Sequence, residues 1–390
     1  MKNADKFSKF TSAVGLIFLS VLFFLFLLYL AETGYRFYTN GKNPTVNLLF
    51  VVNQQTHVNK PYVMFTARPG IQVYGSPDSE QGRINALGYL GALPDKIKPT
   101  SEYRIFLLGG SAAFQGSPPF SVKVEKLFHQ AGRTNVKVFN FSVVSSVSRQ
   151  ELVRIMVDIA GYQPDLIISY TGYNDLFDTV WDPRVNYPHR YLLYEVNPIL
   201  KNAKDYRLLP NLALSSQYLR DHFSDVIFDQ LSEGIYPKYV PARKTMRPLI
   251  AKALIQNLRL SKSMSAQLGS EYLAILQPTV FFKKNKSEIE KSFIQADDIA
   301  MAEEIRQAVH LEVRPFQNEF KFVDGSELFA DEARTVFSDC VHYVNEPWQD
   351  ELIARFVYEN VLSSVDLNKK KPSQLPGLLP EEDFTFNPPL

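Results

Sequence analysis

A single cysteine, Cys340, stands in 390 residues, so no disulfide can form within the chain and no cystine framework supports it. That does not exclude an oxidising compartment. Charge of one sign is equally missing: 42 Lys and Arg face 41 Asp and Glu, a formal net charge of +1. This removes any global electrostatic case for nucleic acid as a partner. No His, Cys or carboxylate set shows zinc-ligand spacing, so neither a metal nor a cofactor is expected. No internal repeat is visible. Aromatic residues, by contrast, are plentiful, with 29 Phe and 20 Tyr. The length and this composition fit one large packed domain with appendages.

Residues 13–31, AVGLIFLSVLFFLFLLYLA, contain no charge. As a helix they would cover about 28 Å, close to one hydrocarbon core. A secretory signal peptide is the rival reading. Its apolar core is normally shorter and ends at a small-x-small site, and Ala31 and Thr33 make a poor one. The expectation is an uncleaved anchor. Lys2, Lys6 and Lys9 precede it with only Asp5 opposed, whereas Arg36 and Lys42 follow against Glu32. That bias assigns residues 1–12 to the cytoplasm and the rest of this single-pass chain to the extracytoplasmic side.

Residues 32–95, with scattered Asn, Gly and Pro and strand-like pieces such as PYVMF, read as a membrane-proximal stalk and lead-in. A domain over 96–366 follows, in which strands and helices alternate. Strands are expected at 103–109, 136–141, 165–170, 271–278 and 320–326. Helices are expected at 121–132, 148–161, 245–268, 296–312 and 349–365. The helix from 148 carries a serine cap with Glu151 three residues on. Short apolar strands alternating with helices predict an α/β fold with a central parallel sheet covered on both faces. Residues 178–244 break the rhythm. This stretch, dense in proline and in aromatics from Trp181 to Tyr239, reads as an insertion with a helix near 211–232. Most of its rings would serve packing; some could stack on sugar. The tail, 367–390, is rich in proline and charge.

In a parallel sheet the carboxyl ends of the strands share one edge, where open α/β folds bind ligands. The first proposed strand delivers Gly109-Gly110-Ser111, the second Asn140-Phe141-Ser142, and the third Thr171-Gly172-Tyr173-Asn174-Asp175. Late in the chain, Asp339 and His342 lie three residues apart, a spacing that shares a face on a helical turn. The set comprises a hydroxyl, an imidazole, an orienting carboxylate and a side-chain amide, which are the parts of a serine nucleophile with base, orienter and oxyanion donor. Each piece alone is commonplace. Their appearance at successive strand ends in one order is not.

LLGGSAAFQG, VFNFSVVSSVSRQEL, PDLIISYTGYND and DCVHYV together resemble the four blocks of SGNH/GDSL-type serine hydrolases, and INALGYLGALPDKIKPTSEYRI resembles the lead-in of the membrane-anchored branch. The resemblance covers roughly 85–365 apart from the insertion. It implies a three-layer flavodoxin-like fold. It also implies Ser111 as nucleophile, His342 as base and Asp339 as its orienter. Ser142 N–H and Asn174 would serve the oxyanion, with Gly110, Gly172 and Asp175 as supporting loop positions. Two departures stand out: Gly110 replaces the usual aspartate, and Ser142 stands where the second block usually has glycine. The resemblance further implies an acyl ester substrate, an O-acetyl group on a cell-envelope glycan. The same triad can pass the acyl group to water or to a sugar hydroxyl. An esterase and an O-acetyltransferase supplied by a membrane acyl-donor partner therefore both stay open, as does a glycan-binding or assembly protein without turnover.

Overall fold

The structure, a computed structural model, describes residues 2–40, 57–76, 79–178, 218 and 243–367. The aromatic insertion (apart from Tyr218 and the start of the helix that follows it) and the tail from 368 lie outside the described residues. The chain divides into two compact units: residues 1–55 with 202–239, and residues 56–201 with 240–390.

In the first unit, α1 (Lys2–Asn40) is one continuous helix. Its segment Gly15–Tyr35 has a mean hydropathy of 2.3 and is long and apolar enough to cross a bilayer. The side chains of Leu16 to Leu30 are exposed. Near its end the Tyr35 ring meets Tyr218 edge-on, with centroids 5.1 Å apart.

The second unit is built on five parallel strands: β3 (Tyr103–Gly109), β4 (Val136–Asn140), β5 (Leu166–Thr171), β6 (Glu271–Leu276) and β7 (Lys321–Asp324), in spatial order β4-β3-β5-β6-β7. Every residue of β3 and β5 is buried, which is why, Arg104 and Ser169 aside, both read as largely apolar runs rather than alternating ones. Their register pairs Ile105 with Leu166 and Gly109 with Tyr170. From β3 the chain steps to β4 on one side and later returns to β5 on the other. Right-handed crossovers then place the connecting helices on opposite faces. Accordingly α3 (Phe120–Gln130) packs with the last helix, α8 (Pro347–Ser364), whereas α4 (Ser148–Arg154), α5 (Arg243–Gln267) and α7 (Ala296–Val313) form the other group. The reversal lies at β3 and β5, so the crevice of this sheet opens beyond Gly109 and Thr171.

Two local readings differ from the structure. Ser148 does not cap α4. The cap position is Val147, and Ser148 is the first helical residue. The helix continues as a π turn over Ile155–Ile159 and a 3-10 turn to Tyr162, and the left-handed residue closing it is Gln163, two positions past Gly161. In the lead-in, PYVMF is half turn and half strand: β2 (Met64–Ala67) pairs antiparallel with β1 (His57–Lys60). Residues 57–95 also enter the main core. Phe65 and Tyr89 are wholly buried, and Tyr89 stacks on Phe141 at 4.2 Å. Its hydroxyl donates to Asp158, which also takes the Lys60 ammonium at 2.7 Å.

Candidate active site

The apolar β3 ends at two glycines because little else fits there. A Cβ on Gly110 would lie 2.6 Å from Asn174 Nδ2, so a side chain there would displace that amide from its present position. Ser111 follows as the first residue of the short α2 (Ser111–Phe114), 9% exposed, with a backbone N–H that has no acceptor inside its own helix. Just after β5, Gly172 holds φ +122, and a Cβ there would meet Leu276 Cδ1 at 2.4 Å. Glycine adopts that φ without strain, whereas a side chain there would also have to displace the Leu276 methyl.

From the far end of the chain, residues 336–344 fold back as a small antiparallel loop. Val344 N–H donates to Val336 O at 3.0 Å and Ser338 N–H to His342 O at 2.8 Å. The spacing of Asp339 and His342 predicts a helical turn, yet this turn is a bend in that loop. It still closes the pair: His342 Nδ1 lies 2.6 Å from Asp339 Oδ2. The other imidazole nitrogen, Nε2, lies 2.6 Å from Ser111 Oγ. Hydroxyl, imidazole and carboxylate therefore form one continuous hydrogen-bonded chain across 231 residues of sequence. Asp339 Oδ1 also accepts from Val341 N–H at 2.8 Å and His342 N–H at 2.7 Å. Partial burial pushes this carboxyl up, but the hydrogen bonds from the His342 ring and the two backbone N–H groups outweigh it and hold it at about 2.

Asn174 Nδ2 donates to Ser146 O at 2.7 Å, which fixes the amide beside Gly110 and leaves its second N–H for a ligand. Asp175 faces inward and accepts from Ser148 N–H at 2.9 Å and from Ser148 Oγ at 2.6 Å. It thus caps α4 from another segment and ties the third strand-end loop to the second. Burial pushes Asp175 up to about 7 against those hydrogen bonds.

Ser142 requires a correction. It is wholly buried, and its N–H already donates to Asn140 Oδ1 at 3.0 Å. An enclosed, paired donor cannot serve an oxyanion. Three residues on, Ser145 holds φ +58, rare for a residue with a side chain, and its N–H has no hydrogen-bond partner among the described residues. Ser145 is therefore the better donor from this loop.

Other side chains tie the loop of Asp339 and His342 to the segments around Ser111 and β5, and nothing in the sequence pattern singles them out. Gln115 Nε2 donates to Tyr343 O at 3.1 Å and to Asn345 Oδ1 at 3.0 Å. The buried hydroxyls of Tyr170 and Tyr343 meet at 2.8 Å. Among the described residues no cluster of three or more His, Cys, Asp or Glu could hold a metal ion.

No protein-family model matches the sequence, and no curated protein matches it. Similar solved structures include an acetyl xylan esterase, 12% identical, with 67% of this chain and 98% of that one covered and a TM-score of 0.35. An acetylxylan esterase from Geobacillus stearothermophilus is 14% identical over 66% of this chain and 94% of its own, with a TM-score of 0.37. A protein described as a GDSL-like lipase, from Parabacteroides merdae, is 12% identical over 68% of this chain and 98% of its own, with a TM-score of 0.39.

Proposed function

We propose that this chain is a membrane-anchored serine esterase of the SGNH/GDSL type, acting on O-acetyl esters of cell-envelope glycans. The observation that carries the proposal is the unbroken contact from Ser111 Oγ through the His342 ring to Asp339. Ser111 Oγ attacks the acyl carbonyl carbon while His342 Nε2 takes the hydroxyl proton. Asp339, ionised throughout the neutral range, holds Nδ1–H and stabilises the imidazolium. The carbonyl oxygen becomes an oxyanion, bound by Ser111 N–H, the free amide N–H of Asn174 and Ser145 N–H. Collapse breaks the ester C–O bond, and His342 returns the proton to the leaving sugar hydroxyl. Water then attacks the acyl-serine, giving its proton to His342. The acyl–Oγ bond breaks as His342 returns the proton to Ser111 Oγ, and acetic acid leaves, ionising to acetate in solvent.

The glycan assignment draws on the exposed apolar span of α1, which would hold the enzyme at a membrane with its domain facing envelope polymers. Hydrolysis of an aryl acetate and of an O-acetylated polysaccharide tests the chemistry. Asn174→Ala is expected to lower kcat by about 10²–10³-fold, and Ser111→Ala to abolish acyl-enzyme formation. Parent activity that survives Ser111→Ala would sink the proposal.

A further inference from the structure

One buried charge pair lies outside this chemistry and yet ends at it. Lys283 follows β6 after a 3-10 turn, Val280–Phe282, and Glu290 sits in the short α6 (Glu288–Ser292). Both side chains are 0% exposed, and Lys283 Nζ binds Glu290 Oε2. Enclosing two charges carries a heavy desolvation penalty, recovered only where every lone pair and proton is used. Here they are. Glu290 Oε2 also accepts from Ser287 N–H at 2.8 Å, closing a capping box. Its other oxygen, Oε1, accepts from Val336 N–H at 2.8 Å and Phe337 N–H at 3.0 Å. Lys283 Nζ donates a second bond to Arg334 O at 2.6 Å. Three of these contacts therefore fall on residues 334–337, and Asp339 is two residues further on.

That stretch belongs to no helix, and its one ladder contact is the bridge between Phe337 and Tyr343. Val336 is gripped from both sides, because its carbonyl accepts from Gln349 Nε2 and Val344 N–H. The returning leg of the loop is held separately, by Gln115 and by the Tyr170–Tyr343 hydroxyl pair. With both legs fixed, the turn between them can present the imidazole in one orientation only. We infer that Lys283 and Glu290 are positioning residues that set the register of the Asp339–His342 loop, so that Nε2 meets Ser111 Oγ. This rests on the esterase reading of the triad. A staple that serves folding alone would be indifferent to that register.

The test uses the full chain in detergent, with Glu290→Gln and the paired apolar replacement Lys283→Met/Glu290→Leu, which leaves no lone buried charge. Three measurements are taken: kcat and KM for an aryl acetate, fluorophosphonate labelling at Ser111, and the low-field proton resonance of the His342–Asp339 hydrogen bond. Positioning predicts a folded double variant whose kcat falls by about 10²-fold, the cost typical of an ångström-scale misplacement, with KM little changed. It also predicts a lost or shifted low-field resonance. A folded double variant with parental kcat and an unmoved resonance would overturn the inference. So would failure of both variants to fold, which would make the pair a core staple. A parent that does not label at Ser111 would count against the esterase reading instead, and the resonance would still decide the positioning claim.

Discussion

A left-handed backbone at a residue with a Cβ costs about 1–2 kcal/mol, and Ser145 carries one at φ +58. Ser145→Gly relieves that cost while keeping the N–H assigned to the oxyanion. We expect a stability gain of about 1 kcal/mol in urea melts and undiminished kcat. Ser142→Ala removes a buried hydroxyl without a hydrogen-bond partner and touches no substrate, so stability and kcat should both hold. A fall in kcat in Ser142→Ala would give the buried Ser142 hydroxyl a part in catalysis that this account denies it. Asp175 supplies a pH signature. Its folded carboxyl titrates at about 7, well above the ordinary range. Between about pH 4 and pH 7 the unfolded chain has released this proton and the folded chain retains it, so rising pH lowers stability across that window. Asp175→Asn should lose less stability than the parent between about pH 5 and pH 7; equal losses would contradict the assignment. Ser111, Asn174, Asp339 and His342 were legible because small polar groups stand out at the ends of apolar strands. Ser145 was not, because a serine carries no mark of a positive φ in its identity.

At the scale of elements, β3 and β5 could be read directly, since strands buried on both faces have no polar side to blur them. The turn carrying His342 is a bend and not a helical turn; an i, i+3 spacing is shared by helices and tight loops and does not separate them. The cap of α4 is not legible in the local sequence because its acceptor, Asp175, comes from another segment 27 residues away. The same limit hid Glu290 and Lys283: contacts that distant leave no periodicity. Residues 57–95 read as a lead-in to the domain, yet Phe65 and Tyr89 sit in the main core. Removing a buried aromatic side chain typically costs about 3–5 kcal/mol. A fragment beginning at 96 should therefore lack a cooperative melt, whereas one beginning at 57 should keep it. Equal melts for the two fragments would show that the lead-in is dispensable.

At the scale of the whole molecule, the proposal assigns α1 to the membrane and the sheet unit to the chemistry. The apolar span Gly15–Tyr35 exposes its side chains, which suits a lipid environment. Deleting residues 2–40 should move the protein from the membrane fraction to the soluble one and leave the triad intact. Retention of the shortened chain in membranes would require a second anchor. The central claim is that Ser111 is made nucleophilic by His342 and Asp339. The most direct measurement is mass spectrometry of the full chain after reaction with a fluorophosphonate. The account predicts one adduct, on Ser111, abolished in His342→Ala; no adduct on folded protein, or an adduct on another serine, would contradict it.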